Sequence, residues 1–135
     1  MRYKLLAVLF ALSIFAGCIT EQKFTLADTT TSSENIAGET RPTTIEYFDV
    51  AGEEVQYYVW YFDIDNAGKA LFFLEYESVL KEVEIDGEIA YDASSSEGTL
   101  SAVMWEKPGK IYVAMASSGA PSKEILHDLY SFYTG

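Results

Sequence analysis

Four groups of residues in this 135-residue chain are of types that do chemistry. They are the single cysteine Cys18, the single histidine His127, the trio Asp63, Asp65 and Gly68, and the acidic run Glu82, Glu84, Asp86 and Glu88. A Ser-His-Asp or Cys-His device would have to use His127, which falls opposite the apolar stripe of a C-terminal helix with no nucleophile motif beside it. A solvent-facing helical histidine is expected instead. Asp63, Asp65 and Gly68 match positions 1, 3 and 6 of a calcium-binding loop, yet position 5 is Ala67 and position 12, which needs a bidentate Glu, is Leu74. A strand end followed by a helix cap accounts for them without an ion. Glycosidase carboxylates face each other about 5 to 9 Å apart across a cleft. The acids of 82–88 are neighbours on one hairpin, so they read as a solvated acidic face. The chain has no GxSxG, GxGxxG or P-loop sequence, and no enzyme, cofactor or metal site is expected.

Cys18 stands apart because of what precedes it. Arg2 and Lys4 put positive charge at the start, and Leu5 to Gly17 follow as thirteen uncharged, mostly apolar residues ending in Ala16 and Gly17. These are the charged, apolar and small-residue parts of a secretory signal. As a helix the run measures about 20 Å, short of the ~30 Å hydrocarbon core that a spanning helix crosses. The sequence FAGC at 15–18 resembles the lipobox of prokaryotic lipoproteins, with Phe15 where an aliphatic residue is usual. The resemblance implies cleavage after Ala16-Gly17 and a diacylglyceryl thioether on Cys18. The two acyl chains would hold the protein on the cell membrane, facing outside the cytoplasm. Without lipidation the same leader would release a secreted protein with a free thiol. Ile19 and the Thr-rich stretch after it are similar to lipoproteins of archaea and of bacteria with a single membrane.

Beyond residue 17 the chain carries seven basic and twenty-one acidic residues, a formal charge of 7 − 21 = −14. Such a body is repelled by phosphate backbones and excludes nucleic acid as a partner. Ten Tyr and eight Phe give it a folded chain's apolar content rather than that of a disordered one. With no second cysteine there is no internal disulfide, and the core alone must stabilise the fold.

The elements follow from local pattern. Residues 18–44, rich in Thr and Ser, read as a lipidated tether of about 30 Å root-mean-square reach, the alternative being an arm docked through Phe24 and Leu26. Residues 45–135 are expected to form a single domain. Val55 to Phe62 are apolar at both parities, as in a strand covered on both sides or one exposing an aromatic face. Asp65 or Asn66 caps a helix predicted through residue 82. Around Asp86-Gly87 a hairpin is expected, with Ile85 facing Ile89 and Val83 facing Tyr91 so that one face is apolar; the two-residue alternative pairs Ile85 with Glu88. Pro108-Gly109 turns a second hairpin with Trp105 and Tyr112 near its closed end. Ile125, Leu126, Leu129, Phe132 and Tyr133 form the stripe of a final amphipathic helix with Pro121 at its start.

The expected fold is α+β, a mainly antiparallel sheet of about five strands with two helices packed on one face. The hairpin at 104–114 with its following helix resembles the end of lipoprotein-sorting-like domains, a resemblance that carries no function here.

Most of the aromatic load is expected in the core. The functional reading is that part stays open, with Tyr58, Trp60, Trp105 and Tyr112 as the candidate binding face. Two functions fit: a lipid-anchored accessory protein docking on an envelope or membrane-complex protein, or a small module binding a sugar or hydrophobic ligand. A flat apolar patch favours the first, and a concave pocket with convergent polar groups the second.

Overall fold

The computed structural model describes residues 23–135. The leader expected at 1–17, the cleavage step at Ala16-Gly17, and Cys18 with its lipid lie outside the described residues. Among those described, seven strands form one antiparallel sheet: β1 (Phe24–Ile36), β2 (Glu39–Val50), β3 (Tyr57–Asp63), β4 (Leu80–Ile85), β5 (Glu88–Ser94), β6 (Leu100–Lys107) and β7 (Lys110–Ala116). Helix α1 (Asn66–Tyr76) joins β3 to β4, and helix α2 (Lys123–Thr134) ends the chain. The spatial order is β1-β2-β3-β7-β6-β5-β4. The chain therefore lays down three strands, crosses with α1 to the far edge, and returns until β7 pairs with β3.

The α+β class stands, with four corrections. Seven strands replace five because the Thr/Ser-rich segment is not a free tether: from Phe24 onward it is β1 and then the first half of β2, the two strands paired from Phe24↔Val50 to Ile36↔Glu39. Only Phe24 and Ile36 of this strand are buried, so it shows no apolar period, while its β-branched threonines suit a pleated surface. The helices also lie on opposite faces of the sheet. Val59, Val103, Trp105 and Ala114 pack with Ile125, Leu126, Leu129 and Tyr130 of α2. Phe62, Met104 and Ile111 pack with Ile64 and Phe72 on the α1 side. Strand β6 requires this, since Ala102 to Trp105 are four successive buried residues and cover on one face buries only alternate ones.

The third correction is the register of the β4–β5 hairpin. Asp86 and Gly87 both have positive φ, 54° and 82°, the geometry of a two-residue turn whose twist matches the strands. Ile85 therefore faces Glu88 and Val83 faces Ala90. Turn chemistry outweighs face purity, and Ile89 is left 57% exposed on the α1 side. Helix α1 also stops at Tyr76 rather than running through residue 82, because Leu80 onward is taken up by pairing with β5.

Asp65 caps α1, its Oδ1 accepting from the Gly68 amide at 2.8 Å. Gly68 is there for space. A Cβ on it would lie 2.6 Å from Ile64 Cγ1 and 2.8 Å from both Arg41 Nη2 and the capping oxygen. The buried Arg41, whose Nε donates to the Ile36 carbonyl at 3.0 Å, pins the tip of the β1–β2 hairpin at this spot. Gly68→Ala gains helix propensity of about 1 kcal/mol but overpacks the junction. The expected net result is a loss of up to about 2 kcal/mol in urea unfolding.

Helix α2 begins with Ser122 as cap and is tied to β3 by the Tyr57 hydroxyl, which accepts from the Ser122 amide at 2.8 Å. Its buried side is Ile125, Leu126, Leu129 and Tyr130; Phe132, expected in the stripe, is 46% exposed. Near its end the Tyr133 hydroxyl donates to Glu46 of β2. Burial first, then the hydrogen bond and charge of Glu46, hold this phenol well above its ordinary value of 10.0. Burial likewise raises Tyr58, Tyr61, Tyr91 and Tyr130. A phenol whose folded value exceeds its unfolded one adds stability that is fully present below about pH 10 and is lost as the pH rises further. Alkaline unfolding is the expected result. In Tyr133→Phe the loss of stability between neutral and alkaline pH, followed by circular dichroism, should be smaller than in the parent.

Candidate binding face

The four aromatic residues singled out by sequence are divided between the two faces. Trp105 is 1% exposed, and its ring stacks on Tyr112 at 5.3 Å with 2° between planes and meets Tyr130 edge-on at 5.3 Å. This pair belongs to the core under α2, which corrects its assignment to an open face. Tyr58 and Trp60 point the other way, to the α1 side, and are half-buried.

On that side the register sets Trp60 beside Ile45 of β2 and Val113 of β7, and Tyr58 beside Tyr47 and Met115. The Tyr47 and Tyr58 rings lie 5.5 Å apart, and Tyr58 donates to the Met115 sulfur at 3.6 Å. Helix α1 covers the neighbouring Phe62 through Phe72, rings 5.8 Å apart, and reaches only the Trp60 side of this aromatic patch, which among the described residues stays half-exposed. Two shallow depressions of about 260 and 200 Å³ run along it and share Trp60 and Glu34. Their rims carry Ser32 on β1 and Glu75 and Tyr76 on α1.

A larger open depression of about 420 Å³ lies on the other flank of α1, between Phe73, Leu74, Leu80 and Tyr91, edged by Glu77 and Glu82. The Phe73 and Tyr91 rings meet here at 5.2 Å, tilted by 59°, and the exposed Ile89 extends the apolar surface beyond Tyr91. Between the two flanks α1 turns Leu71 (54% exposed), Leu74 (65%) and Tyr76 (41%) into water. Eight of its eleven residues are Ala, Gly, Leu, Phe or Tyr, a composition expected of a helix enclosed on all sides. Glu34, Glu75, Glu77, Glu82 and Glu106 surround this band, while its cation Lys69 is paired with Glu106 at 3.0 Å and donates to the Lys107 carbonyl at 2.7 Å. The band is apolar with an acidic rim.

The other sequence candidates have structural partners. Asp65 is the α1 cap, and Asp63 pairs with Lys110 at 3.4 Å. Glu82, Glu84, Asp86 and Glu88 are exposed along the hairpin, with Asp86 accepting from the Ser131 hydroxyl at 2.5 Å. His127 is not simply solvent-facing: it is half-buried, its Nε2 3.1 Å from Asp92 Oδ1. Asp92, 7% exposed, also has Lys123 within 3.7 Å. Sequence reasoning missed this aspartate, although it shares the core-facing parity of Ala90 on β5. Ser131, one turn beyond His127, gives its hydroxyl to Asp86 rather than to the imidazole, so the three side chains do not line up as a relay. Among the described residues no group of three His, Cys, Asp or Glu converges on a metal position, and no helix is long and apolar enough to cross a membrane.

No protein family, no curated protein and no solved structure matches this chain.

Proposed function

We propose that this chain is a lipid-anchored lipoprotein held outside the cytoplasm through Cys18. Its folded part is a non-catalytic accessory domain that docks through the α1 face on an envelope or membrane-complex protein. The observation that carries this reading is helix α1 itself. It is largely apolar, yet it presents Leu71, Leu74 and Tyr76 to water, between the apolar depression at Phe73 and Tyr91 and the more polar one at Trp60 and Glu34. A contiguous apolar band of this kind marks an interaction surface. Its acidic rim selects a partner whose apolar patch is bordered by Lys and Arg. The shallow depressions suit a broad protein contact better than an enclosed small molecule.

A second reading, a module for a sugar, is favoured by one spot alone: the ring of Trp60 beside Ser32 and Glu34, an aromatic platform with polar groups at its edge. Native mass spectrometry of the purified domain would find such a ligand.

The test is affinity capture of the tagged full-length protein from gently solubilised host membranes, with Cys18→Ser as control. The expected result is a membrane-bound parent carrying one stoichiometric partner, and a Cys18→Ser form released from membranes. A Cys18→Ser form that stays in the membrane fraction would contradict the anchor, and a parent recovered alone would contradict the accessory role.

A further inference from the structure

We propose that Leu26 and Phe132, both neighbours of Phe48 where the anchored N-terminus enters the fold, form a membrane-contact edge that rests in the interface of the bilayer holding the lipid. The inference rests on the lipid-anchor reading of Cys18 and goes beyond it by fixing how the domain stands on the membrane.

Because β1 starts at Phe24, only six residue steps separate Cys18 from the folded domain. Fully extended they span about 20 Å, little more than the radius of a domain of this size. The domain therefore stays at the bilayer surface, and the part nearest the anchor meets it first. That part is apolar. Phe24 packs edge-on against Phe132 at 5.5 Å, and Phe48, the cross-strand partner of Leu26, packs against Phe132 at 5.6 Å. Phe24 and Phe48 are buried, whereas Leu26 remains 53% and Phe132 46% exposed.

Two exposed side chains are far too few for a stable protein interface, which buries at least about 1,000 Å². Beside a lipid anchor they need no such area, because tethering keeps them at high effective concentration next to the interface. A leucine and an aromatic ring are suited to its headgroup–acyl boundary. The neighbouring charge is compatible: Lys23 pairs with Asp128, so this cation of the edge is already neutralised. The acidic body adds repulsion from an anionic surface. The fitting bilayer is a neutral one.

The experiment uses the full-length lipidated protein in phosphatidylcholine vesicles, some containing brominated lipid that quenches indole fluorescence on contact. Phe132→Trp places a reporter on the edge, and Thr31→Trp places one further along the same face of β1. Flotation with the vesicles checks the anchor separately. The expected result is co-flotation of both variants, with several-fold stronger added quenching for Phe132→Trp than for Thr31→Trp. Co-flotation without that added quenching would overturn the membrane-contact edge while leaving the anchor intact, and is what a second copy or a soluble partner covering the edge would produce. Failure of the lipidated protein to float would overturn the anchor and the inference together.

Discussion

Trp105→Ala should cost about 3–5 kcal/mol, enough to leave much of the protein unfolded at growth temperature. The indole is 1% exposed and is enclosed by the stacked Tyr112 ring, by Tyr130 edge-on and by Tyr133 at 5.9 Å. Truncation removes the largest fully buried side chain and leaves a cavity between β6, β7 and α2 that those rings cannot close. Among the described residues the indole N–H has no hydrogen-bond partner, a penalty of about 1–3 kcal/mol that packing already outweighs. Trp105→Phe sheds that penalty with part of the volume, so its loss should be clearly smaller. Urea unfolding of both variants measures the difference. Equal losses would mean that the ring stack contributes little.

The second large effect falls on binding and spares the fold. Leu71→Ser with Leu74→Ser replaces side chains already 54% and 65% exposed, so stability should move by no more than about 1 kcal/mol. Truncations at the centre of an interface cost about 2 kcal/mol or more each, near thirtyfold in affinity. The pair together should weaken the partner's Kd by at least about a hundredfold, as read by titration of the captured partner. A matched change at Thr31 and Ser33, on the outer face of β1, should leave the Kd unchanged.

The contrast between these pairs reflects what patterns in a sequence encode. The Pro108-Gly109 hairpin, the Asp65 cap and most of the α2 stripe were legible because each is fixed by neighbouring residues. The β1 strand was not, because pairing with β2 rather than burial makes it a strand, and only its two end residues are covered. Register at Asp86-Gly87 was decided by two positive φ angles that the alternation of apolar residues does not reveal. Periodicity also says which side of a helix is apolar without saying which face of the sheet it meets. The run Ala102-Val103-Met104-Trp105, buried throughout, did hold that information, since only cover on both faces buries four in succession. The same ambiguity split the candidate aromatic face: Tyr58 and Trp60 stayed on the open side, and Trp105 and Tyr112 went into the core.

The docking role of the α1 face is tested most directly by a photo-activated cross-linking side chain placed singly at Leu74, Ile45 or Ser33 of the full-length protein in intact host membranes. Leu74 and Ile45 line the two sides of the band, and Ser33 lies on the outer face of β1. The result predicted is one discrete protein adduct of the same mass from Leu74 and Ile45, and none from Ser33. An equal adduct from Ser33, or none from any position in cells where the protein is membrane-bound, would contradict it.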